Sequence, residues 1–126
     1  MKIIQILKFF FLVNISICAS HGKITGHDLL KWAEEEKKMS EFGSFIDFSS
    51  KEPRLVCNPL HVGNYFGFVV AIYNFADKHF FVGPNFCPPK QIGAIVYNYL
   101  KDNPKEWSDN AHEICLKAYM QAFPKK

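Results

Sequence analysis

From Phe86 to Pro124 the apolar residues recur at helical spacing on both sides of a break at Asp102-Asn103-Pro104. Before the break, Ile92, Ile95, Val96, Tyr99 and Leu100 form one face of an α-helix. After it, Ala111, Ile114, Cys115, Ala118 and Ala122 repeat that spacing with smaller side chains, which let two backbones approach closely. A connection this short makes the two helices antiparallel neighbours, so the last third of the chain predicts a helical hairpin.

Upstream, Leu29, Leu30 and Ala33, with Trp32 alongside, predict an amphipathic helix starting near His27. Thr25 or Asp28 would cap its start, and Glu34 stands four residues before Lys38 in the favourable orientation. The charged run Glu34-Glu35-Glu36-Lys37-Lys38 reads as the solvated face of that helix. From Glu41 to Arg54 the period is lost: Gly43, Ser44, Ser49, Ser50 and Pro53 interrupt a segment weighted by Phe42, Phe45, Ile46 and Phe48. A loop folded back on the core is expected there rather than a short strand, because a lone strand has no visible partner.

Asn58-Pro59 supplies a cap and a first position for a central helix. Through Val62, Tyr65, Phe66, Phe68, Val69, Val70, Ile72, Tyr73 and Phe75 that helix is apolar nearly all the way round, the pattern of a helix buried on every side. Gly63 and Gly67, four apart and followed by Phe68, leave a bare stripe for another helix to pack against backbone. Such closeness would offset the cost of about 1 kcal/mol that each glycine carries against alanine in a helix. Asn64, Asn74 and a length of about 17 residues, against roughly 20 needed, argue against a membrane span. The elements together predict an all-α domain, a small bundle of about four helices.

Composition changes the picture at the N-terminus. Lys2 and Lys8 precede and interrupt an apolar run, Phe9 to Val13, that closes on Cys18-Ala19-Ser20, the layout of a secretory signal peptide cleaved after Ser20. A membrane anchor or a lipid-modified Cys18 are the alternatives. Cleavage divides the chain into a signal peptide, residues 1–20, and one helical domain, residues 21–126. Removing Lys2 and Lys8 from fifteen basic residues, against twelve acidic ones, leaves a mature net charge of +1, which calls for neither nucleic acid nor an anionic membrane. A core this small cannot hide so apolar a central helix, and a second copy of the chain in a two-fold dimer is the simplest cover.

Cys57, Cys87 and Cys115 remain after cleavage. Cys115 lies on the apolar seam of the last helix, so in an oxidising compartment Cys57 and Cys87 are the expected disulfide pair. Cys57 with His61 at a helix start is the arrangement to test for a catalytic thiol, but exported cysteines more often pair with each other. The Cys and His residues form no compact metal cluster, and Asp28, Asp47, Asp77 and Asp109 lie outside apolar segments that would make one an acid catalyst. No phosphate loop or nucleophile-elbow motif is present. The expectation is a binding protein, without catalytic residues, metal or cofactor. Asp77 to Asn85, with Lys78, His79, Phe80 and Phe81 at its tip, has two readings: one phenylalanine tucks into the core and the loop merely returns the chain, or the loop offers the recognition surface, since aromatics ringed by polar groups favour partner contact.

The order Phe86-Cys87, Pro89, Gln91-Ile92, Ile95-Val96, Tyr99-Leu100, Asn103-Pro104-Lys105-Glu106, Ala111, Ala118 and Ala122-Phe123-Pro124 resembles the Rap/Tai family. Gly67-Phe68-Val69-Val70 is similar to that family's central-helix segment, and Gly26-His27-Asp28-Leu29-Leu30 to its first helix. These are exported immunity proteins of bacterial type VI secretion systems. The resemblance implies a periplasmic homodimer that binds a peptidoglycan amidase effector and occludes its cysteine-histidine cleft. The chain departs from the family where members often carry cysteines in the first helix and after the final Phe-Pro: Ala33 and Lys125 stand there. An exported envelope protein of structural or assembly role, without a cognate toxin, is the alternative reading.

Overall fold

A computed structural model describes residues 23–125. The expected signal peptide, Met1–Ser20, lies outside the described residues. Four α-helices carry the fold: α1 (Gly26–Phe42), α2 (Pro59–Ala76), α3 (Pro89–Asp102) and α4 (Ala111–Ala122). A small antiparallel sheet of β1 (Ile46–Asp47) and β2 (Arg54–Leu55) joins α1 to α2, and a 3₁₀ turn at Pro104–Glu106 precedes α4. The all-α bundle with a C-terminal helical hairpin is the architecture observed.

α1 starts on a polar cap, the Asp28 carboxylate accepting bonds from the Thr25 N–H at 2.9 Å and the Thr25 hydroxyl at 3.2 Å. Leu29 and Ala33 face the core, while Trp32 and Leu30 pack at its margin. On the outer face Lys38 pairs with Glu35 at 2.7 Å, three residues away, rather than with Glu34 as the spacing predicts. Glu35 is held there because its other oxygen accepts the Asn58 N–H at 2.7 Å, tying α1 to the start of α2. Asn58 in turn caps α2, its side chain accepting from the Leu60 and His61 amides, with Pro59 in the first turn.

The central α2 packs against α1, α3 and α4. Tyr65 and Tyr119, both fully buried, each donate to a backbone carbonyl of a neighbouring helix: Tyr65 to Gly93, Tyr119 to Val69 at 2.6 Å. These bonds let large phenols sit in the core without a stranded hydroxyl. Tyr119 stands at the centre of the α4 seam together with Ala111, Ile114, Cys115 and Ala118, whereas Ala122, predicted on that seam, is exposed.

Between α3 and α4 the chain is fastened by side chains. Trp107 Nε1 donates to the Leu100 carbonyl at 2.7 Å, and Glu106 accepts from Tyr99 and Lys117, both at 2.7 Å. The first residues of the described chain close on the same place. Gly26 N–H donates to the Asp109 carbonyl, His27 N–H to that of Trp107, and Ala111 N–H to that of Ile24. Gly26 is required by this approach, since a Cβ would come within 2.8 Å of the Trp107 Cα and 2.6 Å of the Ile114 Cδ1.

The segment between α1 and α2 departs from the expected loop. Ile46 pairs with Leu55 and Asp47 with Arg54, so the strand that seemed to lack a partner finds one eight residues away in its own hairpin. Ser44 accepts the Ile46 N–H and Ser49 donates its N–H to Asp47, the local turns that make a two-residue strand viable.

Candidate partner-binding surfaces

The loop after α2 does not present the surface expected of it. Lys78 adopts a left-handed backbone, φ 69°, its N–H donates to the Phe81 carbonyl at 2.7 Å, and this tight turn drives Phe81 inward. Phe81 is 0 % exposed, among the rings of Tyr73, Tyr119 and Phe123. Phe80 packs at the edge of the core, and only Lys78 and His79 of the four predicted contact residues lie fully at the surface. A phenylalanine pair that reads as a partner anchor is thus largely a core anchor.

The exposed apolar side chains gather elsewhere. Phe48 is 70 % exposed, Leu55 67 % and Phe45 39 %, all on or beside the β-hairpin, and Leu60 at the start of α2 is 68 % exposed. The hairpin is braced from within. The Asp47 carboxylate accepts from the Ser49 N–H at 2.8 Å and from the Arg54 guanidinium at 3.1 Å. The bonds to Ser49 first, and then to Arg54, bring the Asp47 pKa down to about 2. A depressed carboxyl stabilises the folded form fully above its unfolded value near 3.9, and the contribution is lost as pH falls through the folded value. The hairpin amides of Ser49 and Val56 should therefore shift in NMR spectra with a midpoint near pH 2, a transition that Asp47→Asn should abolish.

A second surface runs along α2. Gly63 and Gly67 meet no other side chain or backbone within 4 Å of an added Cβ, so the stripe predicted to receive another helix faces outward. Phe68, expected beside that stripe, is half-buried and touches Trp32 edge-on, centroids 6.4 Å apart. The expectation of a helix buried on every side is corrected accordingly: Val62, Tyr65, Val69, Ile72, Tyr73 and Ala76 are buried, while Leu60, Gly63, Asn64, Gly67, Ala71 and Asn74 are exposed. No charged residue occurs from Pro59 to Ala76, leaving an outward face with nothing ionic on it. No helix among the described residues is long and apolar enough to cross a membrane.

The expected Cys57–Cys87 disulfide is absent, and all three described cysteines are free thiols. Cys57 precedes the first turn of α2, whereas Cys87 lies beside the hydroxyl of Tyr73, near its last turn. The helix rises roughly 20 Å between those turns at about 1.5 Å per residue, while a disulfide needs Cα atoms within about 7 Å. Nor is Cys57 prepared as a nucleophile with His61. It is 5 % exposed, and burial together with the nearby Glu35 carboxylate pushes its thiol pKa up, the direction opposite to activation. Asp28, Asp47 and Asp77 are each engaged by backbone amides of their own turns. A groove of about 270 Å³ between α3 and α4, floored by Ile95, Tyr99 and Ala118, holds a single carboxylate, Asp102. Among the described residues no group of three or more His, Cys, Asp or Glu could hold a metal.

The family model of Rap1a immunity proteins matches residues 25–124. The chain belongs to this family. The match to the Rap1a immunity proteins spans every described helix and agrees with the resemblance carried by the Phe86–Pro124 residues. No curated protein and no solved structure matches the chain. Sequence reasoning missed Trp107, whose role lies in the bond it makes from the connection between α3 and α4, and Tyr119, which falls four residues after Cys115 on the same periodic seam of α4.

Proposed function

We propose that this Rap1a family member is a periplasmic immunity protein of a type VI secretion system, which binds a peptidoglycan amidase effector and blocks its substrate cleft. The observation that carries the reading is the family match over residues 25–124. In this reading the β-hairpin is the blocking element. Phe45, Phe48 and Leu55 offer apolar side chains on a scaffold rigidified by the Asp47–Arg54 pair, and pre-ordered aromatic anchors bind without a large ordering cost. The amidase contributes the catalytic residues and this chain none.

The test is co-expression: candidate amidases are directed to the periplasm with and without this protein, and lysis is scored. Protection against one amidase supports the reading. Lysis by all of them despite folded protein would leave the alternative of a structural envelope component.

The same reading includes a homodimer formed through the outward face of α2. A long uncharged helix face with Leu60 exposed at one end is suited to a second copy, and glycines at Gly63 and Gly67 allow close approach. Gly67→Leu should leave the monomer fold intact, since open space surrounds that position and glycine is the poorer helix former by about 1 kcal/mol. Sedimentation should show the wild type as a dimer and Gly67→Leu as a monomer; a wild-type monomer would remove the dimer from the proposal.

A further inference from the structure

Tyr73 is 4 % exposed, yet its hydroxyl has no hydrogen-bond partner among the described residues. That is unusual for a buried phenol, and Tyr65 and Tyr119 in the same core both avoid it. The half-buried thiol of Cys87 stands beside this hydroxyl, but a thiol sulfur is a weak acceptor. Gly83 closes over the same hydroxyl so tightly that a methyl group there would overlap it, and Asp77 holds Gly83 in place by accepting its N–H at 2.9 Å. The Cys87 side also lacks an acceptor: α3 begins at Pro88-Pro89, and no side chain caps its first turn. A buried donor and an uncapped helix start thus adjoin one half-buried cysteine.

We infer that Cys87 is a modification site, oxidised by a hydroperoxide to a sulfenic acid whose new oxygen accepts the hydrogen bond that Tyr73 otherwise lacks. The sulfur attacks one peroxide oxygen, an S–O bond forms as the O–O bond breaks, and the departing hydroxide or alkoxide takes up the thiol proton. Sulfur gives up two electrons and the peroxide receives them. Cys57 and Cys115, 5 % and 0 % exposed, are shielded from the same reagent, and burial raises the pKa of both thiols.

The test treats the purified protein with hydrogen peroxide, traps sulfenic acid with dimedone and maps the adduct by peptide mass spectrometry. One adduct per chain, on Cys87, is expected. Tyr73→Phe keeps the ring and removes only the unpartnered hydroxyl, so the reduced variant should melt at or above the wild-type temperature. Its sulfenic acid should nevertheless decay several-fold faster before trapping. Adducts on Cys57 or Cys115, no adduct at all, or equal lifetimes in the two proteins would overturn the inference.

Discussion

Phe81→Ala is expected to remove about 3–5 kcal/mol of stability, the range for deleting a buried phenylalanine ring. Small domains hold only about 5–15 kcal/mol in total, so this one change would bring the protein close to unfolding. The size of the effect follows from position. Phe81 is fully buried, 5.2 Å from the Tyr73 ring centroid and 5.3 Å from that of Tyr119, and it joins the end of α2 to α4. The cavity left behind could not close readily, because the turn at Lys78 and the Asp77–Gly83 bond fix the loop on either side. Urea denaturation followed by circular dichroism measures the loss. Phe80→Ala, at the edge of the core, should cost clearly less. Equal midpoints for Phe81→Ala and the wild type would contradict the core assignment.

Phe48→Asp combined with Leu55→Asp should have the opposite character, leaving the fold alone and removing recognition. Both side chains are about two-thirds exposed or more, and surface substitutions of this kind usually change stability by no more than about 0.5 kcal/mol. Two carboxylates placed on the apolar tip would face desolvation at the effector interface, and hot-spot losses begin at about 2 kcal/mol, roughly 30-fold in affinity. The measurement is a titration against the amidase identified by co-expression, with unchanged thermal unfolding as the control. Unaltered affinity would move the contact surface away from the hairpin.

Much of the architecture was legible in the chain. The Leu29/Ala33 face, the Asn58-Pro59 start and the Ile92–Leu100 stripe all follow from spacing and capping chemistry, which act locally. The hairpin was harder, because each strand is two residues long and too short to show alternation. The loop after α2 left two readings open for a different reason. Phe80 and Phe81 look alike in sequence, and only the left-handed Lys78 decides which of them turns inward. The expected disulfide failed on distance, a quantity that three cysteines in a row of letters do not contain. Apolarity all round α2 predicted burial on every side, and the outward face of Gly63 and Gly67 could be located only once the other helices were in place.

The backbone bonds that join Ile24, Gly26 and His27 to Trp107, Asp109 and Ala111 have a consequence for synthesis. The first helix is latched by residues that leave the ribosome roughly eighty positions after its start, and the most oily helix gets its cover from the same late segment. Until some eighty further residues have followed Gly26, the nascent chain has no way to shut. A polypeptide wired in this manner stays threadable until that late segment has been made.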